Sequence, residues 1–126
     1  MSESRKLHQE LERIGLPLGF MRTKVSGLEF DLYKDGVAIE LAWGDGNEVW
    51  KDLCKIQVAR HVGLQVHKLV ILCREYPSRS MTGHAYIKNA VEKMEPILRN
   101  VEIEIVKMEK PQELREVMKQ FQSGKI

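Results

Sequence analysis

The stretch Leu28-Glu29-Phe30-Asp31-Leu32-Tyr33-Lys34, then Asp35-Gly36, then Val37-Ala38-Ile39-Glu40-Leu41-Ala42-Trp43 decides the fold. Both arms alternate with period two, and the Asp-Gly pair between them supplies residues that accept the positive φ angles of a two-residue type I′ loop. The sequence therefore predicts a β-hairpin. A two-residue loop sets Lys34 opposite Val37, and counting back pairs Tyr33 with Ala38, Asp31 with Glu40 and Glu29 with Ala42. Leu28, Phe30, Leu32, Val37, Ile39, Leu41 and Trp43 then share one face, which is expected to be the buried one. On the other face two carboxylates oppose each other.

Like charges directly opposite on neighbouring strands destabilise by up to about 1 kcal/mol, and Glu is depleted in strands. Asp31 and Glu40, flanked by the small Ala38 and Ala42, leave room for a hydrated Mg²⁺ or Mn²⁺, which binds through one or two carboxylates plus water and phosphate. A solvated face with acidic residues pointing at water accounts for the same pair. Such faces usually carry Thr, Lys or Arg as well, rather than two alanines.

Upstream of the hairpin, Leu7, Leu11 and Ile14 form an apolar stripe on a charged helix over residues 4–14 that stops at Gly15 and Pro17. A weak strand pattern covers 18–23. Downstream, a helix from about Glu48 to Val62 is expected, with Asp45 and Glu48 spaced as a capping box and Gly63 placed to end it. Val66 to Cys73 reads as a strand buried on both faces. The loop 74–83 follows. A helix from about His84 to Arg99, a strand Val101 to Val106 and a last helix opening at Pro111 complete the chain.

On the helix after the hairpin, Gln57 and His61 lie one turn apart in the sector of Trp50, Leu53 and Cys54, with Lys51, Asp52 and Lys55 on the opposite side. An inward amide and imidazole need partners. Ordering a metal-bound water or a carboxylate would supply them; so would a backbone cap for Gln57 and a satisfied core position for His61. On the first helix Glu10 flanks the apolar stripe and is the candidate for an extra acid, whereas Glu12 points away; an ordinary surface glutamate explains Glu10 as well. Arg74, Arg79 and Ser80 in the loop, continued by Lys88 on the next helix, are candidates for phosphate contact or for a merely solvated basic segment.

At 126 residues, 43% hydrophobic and 30% charged, the chain suits one domain spanning 1–126. Twenty basic residues against eighteen acidic ones give +2, a balance that neither demands nor forbids a nucleic-acid partner. The longest apolar run, Leu69 to Cys73, is far below the ~20 residues of a membrane span, so no membrane partner is expected. The charged start, without an apolar stretch behind it, does not read as a secretory signal, and a cytoplasmic location is the expectation. Cys54 and Cys73 fit small buried hydrophobes, and His8, His61, His67 and His84 lack zinc-site spacing.

Phe30-Asp31, eight residues, Glu40-Leu41-Ala42-Trp43 and then a helix containing Asp52-Leu53 resembles the PD-(D/E)XK nuclease superfamily. The segment from about Leu28 to Cys73 looks most like the type II restriction endonuclease branch that includes BamHI and BglII. The resemblance implies an α/β fold: a restriction-endonuclease-like α-β-β-β-α-β core, a mixed sheet with flanking helices. It implies a Mg²⁺-dependent (or Mn²⁺-dependent) endonuclease hydrolysing phosphodiester bonds in DNA, with Asp31 and Glu40 as catalytic metal ligands. Gln57, with His61 where a Tyr is usual, resembles the QxxxY helix motif of RecB-like members. Ala42 departs from the pattern, standing where the family has Lys, Glu or Gln. A residue supplied from elsewhere, a metal-only mechanism or lost catalysis would each explain it.

Gln57 is the expected substitute, since the helical wheel turns Lys51 and Lys55 away, and Glu29 is a candidate third carboxylate. The alternative function is a catalytically inactive nuclease-fold protein serving as a nucleic-acid-binding or assembly module. A further one is a structural subunit that packs its Val101 to Val106 strand or last helix on a partner. Related endonucleases commonly act as two-fold dimers, which makes a homodimer the expected assembly.

Overall fold

The computed structural model of the chain describes residues 3–42, 48–73, 84–108 and 110–122. Helix α1 runs Glu3–Gly15 and is followed by a 3-10 turn, Leu16–Leu18. Strands β1 (Met21–Val25), β2 (Leu28–Lys34) and β3 (Val37–Ala42) come next. Then follow α2 (Glu48–His61), β4 (Lys68–Cys73), α3 (His84–Met94), β5 (Glu102–Lys107) and α4 (Leu114–Gln122), the last led in by a 3-10 turn from Pro111.

The five strands form one sheet in the order β1-β2-β3-β4-β5. The first three are antiparallel neighbours, while β4 runs parallel to both β3 and β5. Parallel neighbours need a crossover, and α2 and α3 supply the two. The fold is thus α/β, a mixed sheet with flanking helices.

Asp35 (φ 47°) and Gly36 (φ 88°) make the expected I′ turn, and Lys34 pairs with Val37, Tyr33 with Ala38 and Leu32 with Ile39. Gly36 is required twice over, because a side chain there would also collide with the His67 ring. The third antiparallel strand is better formed than the weak pattern at 18–23 suggests and lies further on, at 21–25. It joins β2 through Ser26 (φ 49°) and Gly27 (φ 84°), a second turn of the same kind. Gly63 ends α2 as expected: its N–H donates to the Arg60 carbonyl and the Leu64 N–H to that of Ala59, the Schellman pattern. Helix α3 stops at Met94 instead of reaching Arg99, because Pro96 disfavours helical geometry in the residue before it. The proposed capping residue Asp45 lies outside the described residues.

Burial corrects the picture of a hairpin with one covered face. Leu32, Ile39, Leu41, Val70 and Leu72 pack with Leu7 and Leu11 of α1 and Leu114 and Met118 of α4. On the other side Ala38, Ala42, Leu69 and Ile71 pack with Val49, Leu53, Ile56 and Ala59 of α2 and Ile87 and Ala90 of α3. Helices cover both faces, which is why β4 reads as an unbroken apolar run.

Phe30 and Leu32, two residues apart, should share a face but belong to opposite core layers. The cause is a bulge. Met21 opposes Tyr33 and Thr23 opposes Phe30, so two steps along β1 match three along β2 and one extra residue is inserted at Asp31–Leu32. Bulges re-aim side chains, and this one turns Asp31.

Candidate active site

The hairpin ladder stops at Leu32 and Ile39. One position further, side chains take over from the backbone. The Leu41 N–H donates to Asp31 Oδ2 at 2.8 Å, and the Asp31 N–H donates to Glu40 Oε1 at 3.4 Å. The two carboxylates expected to oppose each other are therefore neighbours, each anchored to the backbone of the other's strand.

Their surroundings differ. Glu40 lies on the α2 side at 2% exposure, whereas the Asp31 side chain keeps 24%. Lys55 of α2 reaches Glu40 Oε1 with its Nζ at 3.1 Å and Asp52 Oδ1 at 3.3 Å; the side chains of Lys55, Glu40 and Asp52 are 8%, 3% and 2% exposed. On the α1 side His8 Nε2 stands 3.5 Å from Asp31 Oδ2.

Burial, then the charges of Asp52 and Asp31, push Glu40 well above the ordinary carboxylate range, and Lys55 offsets only part of this. Burial would also raise Asp31, but bonds from His8 and from the Leu41 N–H outweigh it and hold the carboxyl below its usual value. Lys55 shows the same competition with the opposite charge: burial favours losing the proton, while Glu40 and Asp52 retain it and raise the pKa. Two adjacent carboxyls with proton affinities pushed apart, next to a fixed ammonium, are suited to binding a cation or handling a proton.

The other expected positions fall elsewhere. Gln57 does not point at the pair: its Nε2 donates to the Ile97 carbonyl at 2.8 Å, and His61 is exposed. The helical wheel is right for Leu53, buried, and Lys51, exposed, but wrong for Asp52 and Lys55, which are buried, and for Cys54, which is exposed. The apolar residues of α2 spread widely around its axis, so periodicity could not choose between the two sides. Glu10 pairs with Arg13 and faces α4 across a cavity shared with Pro111 and Leu114. Glu12, expected to point away, lines a cavity with Asp31 and Glu29. Lys88 is exposed on α3, and Arg74 and Arg79 lie outside the described residues.

Among the described residues, no group of three or more His, Cys, Asp or Glu side chains is placed to hold a metal ion, and no helix is long and apolar enough to cross a membrane. No family model, curated protein or solved structure matches the chain.

Proposed function

We propose that this protein is a divalent-metal-dependent endonuclease of the PD-(D/E)XK type acting on DNA, with Asp31 and Glu40 as its carboxylate pair and Lys55 as the basic residue that Ala42 does not provide. The observation that carries this reading is the Lys55 ammonium 3.1 Å from Glu40, at the point where β2 and β3 stop pairing. A family residue normally found two positions after Glu40 on the strand is replaced by one arriving from the adjoining helix, with its charged end at the same carboxylate.

The carboxylates themselves are donors of the kind taken by Mg²⁺ or Mn²⁺, hard ions that bind one or two carboxylates and fill the remaining positions with water and phosphate. Asp31 and Glu40 would hold the ion, which supplies Lewis acidity at the scissile phosphate. Asp31 is kept ionised and oriented by the Leu41 N–H. Asp52, three residues before Lys55, fixes the ammonium against Glu40. Lys55, only 8% exposed, would act as a positioning residue that holds the Glu40 carboxyl in place for the ion. Homodimers and a restriction-endonuclease-like core belong to the same proposal.

Near-complete burial of Glu40, Asp52 and Lys55 favours one rival, an ion cluster retained for structure in an inactive, nucleic-acid-binding member. Incubation of supercoiled and linear DNA with Mg²⁺ or Mn²⁺ separates the two. Cleavage abolished in Asp31→Ala, Glu40→Gln and Lys55→Met, all checked for folding by circular dichroism, supports the nuclease. Absence of cleavage by the natural chain, with no Mg²⁺ uptake by calorimetry, leaves the structural cluster.

A further inference from the structure

Helix α1 has two working flanks. Arg5, His8, Gln9 and Glu12 face the β1–β2 edge, whereas Lys6, Leu7, Glu10 and Ile14 face α4. At 1.5 Å per residue the second stripe is about 12 Å long, a little over two turns. A cavity of about 600 Å³ opens there between the two helices, bounded on the other side by Pro111, Gln112, Leu114 and Arg115. A further cavity of about 260 Å³ lies toward the 3-10 turn, where Pro17 and Leu18 line it with Arg13 and Lys119. Ile14 and Arg115 line both, which makes the two cavities one groove.

The floor of this groove is apolar and its rim is basic. Leu7 and Leu114, 4% and 1% exposed, close the bottom, and Ile14 and Leu18 stay partly open beside them. Lys6, Arg13, Arg115 and Lys119 stand exposed along the rim. Glu10 is bonded to Arg13, and Glu116 reaches Lys119 at 3.2 Å. Among the described residues no carboxylate pairs with Lys6 or Arg115, so two positive charges of the rim are left uncompensated.

We propose that this groove docks an acidic amphipathic helix of another protein, its apolar stripe on Ile14, Leu18, Leu114 and Pro111 and its carboxylates against Lys6 and Arg115. The assignment is independent of the nuclease reading. A helix laid in a groove anchors itself through residues at i, i+3, i+4 and i+7, a span of about 10 Å that matches the α1 stripe. A second copy of the chain fits poorly, because a two-fold axis sets like surface on like surface and here brings basic rim to basic rim. A nucleic-acid backbone would use Lys6 and Arg115 but leave the apolar floor uncovered, since phosphates are held by charge and hydrogen bonds.

The test is fluorescence anisotropy of the natural chain with a labelled synthetic helix of about 14 residues, close to four turns, carrying one leucine stripe and glutamates on both flanks. Saturable binding is expected. A peptide of the same composition with its leucines scattered round the helix should bind at least about tenfold more weakly, and one with lysine flanks should not bind. Lys6→Glu, Arg115→Glu and Ile14→Ser should each weaken binding on the order of tenfold. Lys93→Gln, exposed on α3 across the sheet, should leave it unchanged. Circular dichroism checks that each variant folds, and amide chemical-shift changes in the natural chain, expected along α1 and α4, locate the peptide without any substitution. No saturable binding, equal binding of the scattered peptide, or shift changes confined to other elements overturns the proposal. Labelled duplex DNA or phosphatidylglycerol vesicles that bind in place of the peptide, and are lost in Lys6→Glu and Arg115→Glu, assign the rim to nucleic acid or to membrane and overturn it. A sedimenting dimer that Arg115→Glu dissociates, with no peptide bound, assigns the face to a second copy and overturns it as well.

Discussion

Lys55 Nζ stands 3.1 Å from Glu40 Oε1, joining the second helix of the chain to the strand after the hairpin turn through two side chains almost entirely out of water. Breaking a buried pair from one side strands the other charge, at a cost of about 3–5 kcal/mol. Lys55→Met should therefore lower the unfolding free energy by about 3 kcal/mol at alkaline pH. The loss should shrink as acid protonates Glu40 and relieves the stranded charge. Urea denaturation across a pH series measures both; a loss independent of pH would show that the methylene packing of Lys55, not its charge, is what counts.

Glu40 itself predicts a pH dependence. Burial and the neighbouring Asp52 and Asp31 raise its folded pKa well above the ordinary glutamate value of about 4.5, so between those two values the folded chain holds a proton that the unfolded chain has released. Its contribution to stability is fully present below about 4.5 and is lost as pH rises through the folded value. Glu40→Gln keeps an acceptor for Lys55 and has nothing to titrate. The variant should lose less stability than the natural protein between weakly acidic and alkaline pH, gaining on it steadily, in denaturant melts at matched ionic strength.

Asp31 separates structure from metal binding by choice of substitution. Asp31→Asn retains a carbonyl oxygen for the Leu41 N–H, whereas Asp31→Ala leaves that donor without its partner beside a residue only 3% exposed, worth about 1–3 kcal/mol. The expected result is a stability loss in Asp31→Ala and little in Asp31→Asn, with Mg²⁺ affinity reduced in both. Urea denaturation and calorimetric titration check the two halves independently. Equal stability of the two variants would mean that the Leu41 bond contributes nothing.

Much of the fold was legible where local chemistry sets geometry. Asp35-Gly36 dictates the I′ turn and three pairs of register, and Gly63 dictates the end of α2. Counting sets Asp31 opposite Glu40 and Glu29 opposite Ala42 on one face, but the ladder ends one pair earlier and Asp31 turns toward α1 while Glu40 turns toward α2; the bulge at Asp31–Leu32 was not legible, because β1 fixes it from the partner strand and nothing in the β2 pattern marks it. Ser26-Gly27 was the overlooked signal for that third strand. Lys55 and Asp52 were missed because burial of charge runs against hydrophobic patterning; the i, i+3 spacing of an acid and a base was the clue available. His8 and Arg22 meet Asp31 and Glu29 through tertiary packing alone.

Gln57 provides the sharpest contrast between the two views of α2. If the Gln-x-x-x-His spacing serves chemistry, replacing Gln57 abolishes cleavage; if the observed geometry holds, it does not, since the amide is spent on the Ile97 carbonyl in the turn that follows α3. Gln57→Ala removes one partly exposed hydrogen bond and should cost about 0.5–1 kcal/mol of stability. Its kcat/KM for DNA cleavage should stay within about twofold of the natural protein. Lys55→Met, two residues earlier and on the opposite side, should lose cleavage altogether. Single-turnover cleavage of one DNA substrate by both variants, at a temperature where each is folded, decides which side of the helix faces the reaction. Loss of activity in Gln57→Ala with Lys55→Met still active would reverse the assignment.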